Sequence, residues 1–168
     1  MMIKYNPRAG VWMTNELFLS PAYQCLSKSS RNLFHCLMNE LRYTKGNYSN
    51  KRTFTNNGGV SLTEIQFKER FQCTSQTYLN ARDKLIEVGL IKLTYRGGMG
   101  RGDMTKYEVL ALTNLPKDKQ RWLKYPEMNW VSDIPKAKGL TIGKETRFKK
   151  GQSARKVISH PIKLDPKV

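Results

Sequence analysis

The hydrophobic period of the chain changes at Gly89, and this change limits the folds that the sequence can adopt. Before Gly89, the segment QTYLNARDKLIEV has apolar residues at helical spacing, and the glycine follows as the residue that ends the helix. After Gly89, two runs with alternating apolar residues, 91–96 and 106–111, flank a glycine-rich stretch. This order predicts a helix that is followed directly by a β-hairpin.

The glycine-rich stretch RGGMGRG, residues 96–102, is open to three interpretations: a phosphate-cradling loop, an RGG-type RNA-binding patch, or the tip of the hairpin. A dinucleotide loop needs G-x-G-x-x-G between a strand and a helix, and a Walker loop needs Gly-Lys-Ser/Thr; the stretch has neither pattern. The RGG copy is single and framed by strands. The hairpin tip is therefore favoured, with glycines that let the backbone approach a ligand closely. Asp103 could hold this turn or pair with Arg96 or Arg101.

Hydroxyl residues mark the starts of the helices before Gly89. Ser20 precedes Pro21 in a short helical turn, and Ser27 caps a longer helix, KSSRNLFHCLMNELRY. Ser61 and Glu64 have the spacing of a capping box for a helix over 62–71, and Thr74 or Ser75 caps the helix over 75–88. Leu33, Phe34, Leu37, Met38 and Leu41 fall at helical spacing in the longer helix, and the helix over 62–71 runs through Ile65, Phe67 and Phe71. The predicted buried face of the helix over 75–88 is Leu79, Leu85, Ile86 and Val88. Val60–Leu62 predicts a short strand, and the polar stretch before it, 43–59, a loop.

The chain divides into four segments by composition. Residues 1–19 predict an extended arm that docks Trp12, Leu17 and Leu19 on the body, and residues 20–115 form the folded domain. Residues 116–135 are aromatic and contain prolines, which is typical of an irregular arm that packs over a domain. Residues 136–168 contain ten Lys or Arg and two acidic residues, which predicts a flexible basic tail.

The charge of the chain predicts a polyanionic partner. Its 168 residues include 30 Lys and Arg against 13 Asp and Glu, a formal net charge of +17. Nucleic acid is favoured because each phosphate that a basic residue neutralises releases counterions. A membrane partner is not expected, since no amphipathic basic helix, signal peptide or spanning apolar run is present. We therefore expect a cytoplasmic, nucleoid-associated protein. The three widely spaced cysteines do not form a zinc motif and predict reduced, buried thiols.

The order helix, short strand, helix, tight turn, helix and hairpin predicts a winged helix-turn-helix: an α+β, mainly α fold with a three-helix core, a β-hairpin wing and an irregular basic C-terminal extension. In such a fold, the helix over 75–88 enters the major groove of DNA and the wing contacts phosphates or the minor groove. The candidate base-reading residues on that helix are Ser75, Gln76, Thr77, Tyr78, Asn80, Arg82 and Lys84. The candidate wing contacts are Lys92, Arg96, Arg101 and Lys106. The candidate backbone contacts in the loop and tail are Lys51, Arg52, Arg147, Lys149 and Lys150.

Residues 17–116 resemble winged helix proteins of phages, plasmids and integrative elements, a group that includes replication-initiator-like and regulatory proteins. The stretches that carry the resemblance are SPAYQCLSKSSRNLFHCLMNELR, GVSLTEIQFKERFQCTSQTYLNARDKLIEVGLIKLTYRGG and KYEVLALTNLP, and the LIEVGLI join at 85–91 is their most specific part. Many winged helix families share this join, so it indicates a fold more strongly than a biological role.

These observations predict a sequence-specific double-stranded DNA-binding protein without enzymatic activity, metal or cofactor. Its role would be transcriptional control, or binding to an origin or recombination site of a mobile element. Paired half-sites would suit a homodimer, although no heptad marks a dimer helix. Two alternatives remain open: an RNA-binding protein that uses the basic tail, and a protein-interaction adaptor with the same fold.

Overall fold

The computed structural model describes residues 13–44, 53–97 and 102–136, and these form an α+β, mainly helical protein. The helices are α1 (Asn15–Phe18), α2 (Pro21–Gln24), α3 (Lys28–Asn39), α4 (Glu64–Phe71) and α5 (Ser75–Glu87). The strands are β1 (Tyr43–Thr44), β2 (Thr53–Phe54), β3 (Ile91–Tyr95) and β4 (Lys106–Val109), followed by two 3₁₀ turns, Arg121–Lys124 and Val131–Asp133. The strands form two antiparallel pairs, β1 with β2 and β3 with β4.

Three of the predicted helix starts are confirmed by their capping hydrogen bonds. The hydroxyls of Ser20, Ser27 and Thr74 each accept a hydrogen bond at 3.2 Å from the backbone N–H three residues later. Thr74, and not Ser75, is therefore the cap of α5. The predicted Ser61–Glu64 capping box is wrong, because Thr63 and Gln66 form the box of α4.

The shift in the start of α4 follows from the extended backbone before it. Val60 forms an isolated bridge with Tyr107, whose N–H donates to the Val60 carbonyl at 2.8 Å. Leu62, two residues later, is buried with a relative exposure of 4%. Residues 60–62 are thus held under β4 and cannot begin a helix. The short strand predicted there is reduced to this single bridge.

The N-terminal half departs from the sequence prediction in two places. The loop predicted over 43–59 is paired at its ends as β1 and β2, and α3 ends at Asn39, four residues before the predicted Tyr43, which lies in β1. The arm predicted over 1–19 contains α1. Leu17 of α1 docks in the core, but Leu19 is 71% exposed, so the expectation for Leu19 is wrong. Trp12 lies outside the described residues.

The hydrophobic core forms where α3 and α4 pack against α5 and the β3–β4 hairpin. Leu85 and Ile86 of α5 and Val88 at its end are fully buried as predicted, whereas Leu79 is half-buried. Leu33, Phe34, Leu37 and Phe67 are also buried, and Met38, Leu41 and Phe71 are half-buried. Ile65 is 66% exposed, because it lies two residues, or about 200° around the helix, from the buried Phe67.

The β3–β4 hairpin is attached to the body by hydrogen bonds from both of its strands. Besides the Val60 bridge, the side chain of Asn57 accepts a hydrogen bond from the Val109 N–H at 2.8 Å and donates to the Val109 carbonyl at 3.0 Å. The Thr94 hydroxyl donates to the Gly58 carbonyl at 2.6 Å. The hairpin is therefore held in a defined orientation beside α5.

The aromatic segment after residue 115 packs on the end of α5. Trp122 is 3% exposed, and the Trp130 N–H donates to the Glu87 carbonyl at 3.0 Å. Gly89 adopts a φ of +75°, and a Cβ there would lie 2.7 Å from the Arg121 Cβ and 2.8 Å from the Trp130 ring. Gly89 thus ends α5, as predicted, and also leaves room for this segment. The body, including the segment to Ile134, is one compact unit.

Candidate nucleic-acid interface

A tight turn between α4 and α5 leaves the first turn of α5 at the protein surface. Gln72 ends α4 in the left-handed conformation, with a φ of 48°, and Thr74 begins α5 two residues later. The Phe67 ring of α4 lies 5.6 Å from the Tyr78 ring of α5, which fixes the angle between the helices. The Lys68 ammonium donates to the Ser75 hydroxyl at 3.2 Å. Lys68 is absent from the predicted contacts, although a basic residue one turn before the break could have indicated it.

Tyr78 corrects one of the predicted DNA contacts. Its side chain is only 5% exposed, and its hydroxyl donates to the Leu62 carbonyl at 2.9 Å. A second contact, at 3.3 Å, joins it to the Tyr107 hydroxyl of β4. Burial is the main cause that raises the pKa of Tyr78 above its ordinary value. Tyr78 therefore ties α5 to α4 and to the hairpin, and its predicted exposure to DNA is wrong.

The exposed polar side chains early in α5 are those of Gln76 and Asn80. They lie one turn apart, and the Gln76 amide donates to the Asn80 carbonyl oxygen at 2.7 Å. Ser75 and Thr77 are half-buried beside them. The pair keeps further donors and acceptors free on both amides, which is the chemistry that recognises an adenine edge.

The cations of α4 and α5 are mostly bound by neighbouring groups. Arg82 contacts the Asp83 carboxylate at 2.7 Å, and Lys84 contacts that of Glu87 at the same distance. The hydrogen bond that the Lys84 ammonium donates to the Glu87 carboxylate is the main cause that raises the pKa of Lys84. Lys68 lies 3.6 Å from the Glu64 carboxylate. The two helices together carry four basic and four acidic residues, so their surface is polar with no net charge.

The described cations of the β3–β4 hairpin are arranged differently. Lys92, Arg96 and Lys106 are exposed, and no ion pair joins them to an acidic residue within the described ranges. The Lys106 ammonium lies 5.7 Å from the centre of the Tyr95 ring. The described part of the hairpin carries these three cations against two carboxylates, Asp103 and Glu108, a net charge of +1, whereas α5 has no net charge. Arg101 lies outside the described residues.

Asp103 has a partner on the hairpin. The Tyr95 hydroxyl is hydrogen-bonded to Asp103, and this bond is the main cause that raises the pKa of Tyr95. Close to it, Gly97 is needed for the approach of the two strands, because a Cβ there would lie 2.5 Å from the Met104 carbonyl carbon. Of the two roles considered for Asp103, this contact supports the role of holding the turn.

An open groove of about 240 Å³ separates α5 from the hairpin. Leu79 and Arg82 of α5 line one side, and Met104 and Thr105 of the hairpin line the other. Glu64 and Asp103 also line it, so the groove carries two carboxylates beside the guanidinium of Arg82. It is therefore not a strongly positive site, and the cations available for phosphate lie on the hairpin itself.

Most of the net positive charge lies outside the described residues. The described ranges contain 15 basic and 11 acidic residues, a net charge of +4, against +17 for the whole chain. The predicted backbone contacts Lys51, Arg52, Arg147, Lys149 and Lys150 all belong to the remainder. The body by itself is only weakly attractive to a polyanion, which makes the position of its unpaired cations important.

Within the described ranges, no group of three or more His, Cys, Asp or Glu side chains could hold a metal ion. No helix in that part of the chain is long and apolar enough to cross a membrane. Cys36 is buried as predicted, Cys73 is half-buried, and Cys25 is exposed, which corrects the expectation for Cys25.

Comparisons with known protein families, curated proteins and solved structures found no match to this chain.

Proposed function

We propose that the protein is a winged helix-turn-helix protein that binds double-stranded DNA in a sequence-specific manner. The order of α3, the Val60 bridge, α4, α5 and the β3–β4 hairpin is the order of elements in that fold. In this arrangement α5 is the helix that reads bases in the major groove, and the hairpin is the wing that contacts phosphates or the minor groove.

One observation carries the proposal: exposed amides and exposed, unpaired cations of the described residues are divided between two adjacent elements. Gln76 and Asn80 project neutral amides from α5, whereas Lys92, Arg96 and Lys106 project unpaired charges from the wing. Amides discriminate between base edges, and cations bind the backbone of any sequence. A surface that only needed to adhere to nucleic acid would not require this division.

The proposed role is regulatory or architectural: transcriptional control, or binding to an origin or recombination site of a mobile element, without catalysis. The sequence outside the body supports a further, non-specific contribution to affinity from Arg101 and from the tail residues Arg147, Lys149 and Lys150. A homodimer would place two copies of α5 one helical turn of DNA apart and read a palindrome.

Selection of bound sites from random duplex DNA tests the proposal, with the mass of the complex measured in solution. We expect an enriched sequence, and a palindrome if the protein binds as a dimer. Gln76→Ala and Asn80→Ala should each reduce the preference for that sequence over random duplex more than they reduce binding to random duplex. Arg96→Ala should weaken both by a similar factor. Failure to enrich any sequence, or no duplex binding at all, would refute the proposal.

A second candidate is an RNA-binding protein, and the charge distribution favours it. Net charges outside the described residues amount to +13 of the total +17, and basic segments beyond a folded body are common in proteins that bind RNA. Competition between duplex DNA, single-stranded DNA and structured RNA of equal length separates the two candidates. A preference for RNA that survives Gln76→Ala with Asn80→Ala would favour the second.

A further inference from the structure

The exposed face of α5 changes its chemistry halfway along the helix. Gln76, Asn80, Asp83 and Glu87 are spaced by four, three and four residues, so they form one stripe along that face. The first two are amides and the last two are carboxylates. At a rise of about 1.5 Å per residue, the amides span about 6 Å, and the whole stripe spans about 16 Å. A polyanion lying along the full length of α5 would meet the carboxylates.

The two carboxylates also engage the cations of this half of the helix. The side chains of Asp83 and Glu87 remain 32% and 29% exposed while they contact Arg82 and Lys84 at 2.7 Å. Arg82 lines the groove towards the wing and Lys84 lies near the Tyr125 ring. The cations are thus held to the sides of the stripe, and the acidic groups occupy its centre.

A second, independent feature limits access to the same end of α5. The Trp130 N–H is bonded to the Glu87 carbonyl, and the 3₁₀ turn Val131–Asp133 packs against α5. Gly89 is covered by Arg121 and Trp130. The end of the helix is therefore occupied by the protein's own C-terminal segment, whereas its first turn stands free of it.

We propose that α5 meets DNA with its N-terminal half alone, and that Asp83 and Glu87 are specificity-determining residues that oppose binding at wrong sites. This inference rests on the proposed DNA-binding function. The carboxylates act by repelling phosphates and by withholding Arg82 and Lys84 from them. Base contacts from α5 then cover about two or three base pairs, because 6 Å corresponds to about two nucleotide steps. Lengthwise docking needs no match between the amides and the bases and would bring phosphates to the acidic half, so the carboxylates weaken binding at wrong sites more than binding at the right one.

The test removes the charges of Asp83 and Glu87 and compares the result with a variant that loses two carboxylates elsewhere. Asp83→Asn combined with Glu87→Gln should bind random-sequence duplex on the order of threefold to tenfold more tightly than the wild type, since two like charges no longer oppose phosphate. Its preference for the selected site should fall, because wrong sites gain more than the right one. Asp118→Asn combined with Glu127→Gln changes the net charge equally at exposed positions on the C-terminal segment and should produce a smaller gain.

The outcomes separate this inference from the function on which it rests. If the wild type binds duplex DNA specifically but both double variants behave alike, the inference is overturned and the proposed function stands. Absence of duplex binding by the wild type overturns both. Melting temperature controls for loss of the Arg82 and Lys84 ion pairs, which are part-exposed and should contribute little to stability. If Asp83→Asn combined with Glu87→Gln folds as the wild type does but binds random duplex more weakly, the inference is likewise refuted.

Discussion

Removing the three unpaired cations of the wing should change the salt dependence of DNA binding by a calculable amount. The perturbation is the triple variant Lys92→Gln, Arg96→Gln and Lys106→Gln, all at exposed positions. Each cation that contacts a phosphate contributes about 0.9 to the slope of log K against log salt, so three contribute about 2.7. Affinity falls when salt rises from about 50 to about 200 mM. The factor by which it falls should be roughly forty times smaller for the variant than for the wild type.

Fluorescence anisotropy on one labelled duplex, at four or more salt concentrations, measures both slopes. The matched control is Lys117→Gln, Lys119→Gln and Lys124→Gln, which removes the same charge from exposed positions on the C-terminal segment. Because net charge acts at long range and is screened, whereas counterion release requires contact, the control should keep most of the slope. Melting temperature should change little in either variant, since these lysines and the arginine have few packing contacts to lose.

Equal slopes for the two triple variants would refute the reasoning. That result would mean that the wing does not touch phosphate and that overall charge alone attracts the protein to DNA. An unchanged slope in the wing variant, with wild-type affinity, would place the DNA on another surface. The test uses any duplex, so its outcome is independent of whether the target sequence is known.

Three further predictions concern the scaffold that holds this interface, all measured by thermal or chemical unfolding. Tyr78→Phe should lower the free energy of unfolding by about 1–2 kcal/mol, because a buried carbonyl loses its donor. Gly89→Ala should lower the free energy of unfolding by at least about 2 kcal/mol. The loss should be clearly larger than that of Gly58→Ala, because Gly58 also has a positive φ but a Cβ there would have no neighbour within 4 Å. Equal losses would mean that backbone strain, and not the contact with Arg121 and Trp130, is the whole cause. Burial, and then the charge of Arg31, lower the pKa of His35 below its ordinary value of 6.5. The contribution of His35 to stability is therefore present above pH 6.5 and is lost as the pH falls through the lowered pKa. His35→Gln should flatten the stability profile below pH 6.5, and an unchanged profile would contradict this assignment.

The candidate interface was predicted in part, and the parts that failed share a cause. Gln76 and Asn80 could be identified from their position early in a capped helix before a hairpin. Tyr78 could not be distinguished from them, because a tyrosine suits both an exposed and a buried position and the three residues before it are polar. Its burial depends on Leu62 and Tyr107, which are distant in sequence.

The sequence pattern also could not show which cations are free of ion pairs. The sequence shows basic and acidic residues on α5 at neighbouring positions, but spacing does not decide which cation is paired and which is free. The contacts of Arg82 with Asp83 and of Lys84 with Glu87 depend on the side-chain directions that the packed helix allows. The register of β3 and β4 places Lys106 opposite Tyr95 and Lys92 opposite Glu108, and spacing in the sequence shows neither neighbour.

What the sequence alone determined is local: the caps at Ser20, Ser27 and Thr74, the end of α5 at Gly89, and the alternating strands after it. These signals depend on residues a few positions apart, which interact in any fold. What only the tertiary structure decided is long-range: the Val60 bridge that delays α4 and the burial of Tyr78. The reason is physical, since a side chain's exposure depends on the elements that pack over it, and these come from distant parts of the chain.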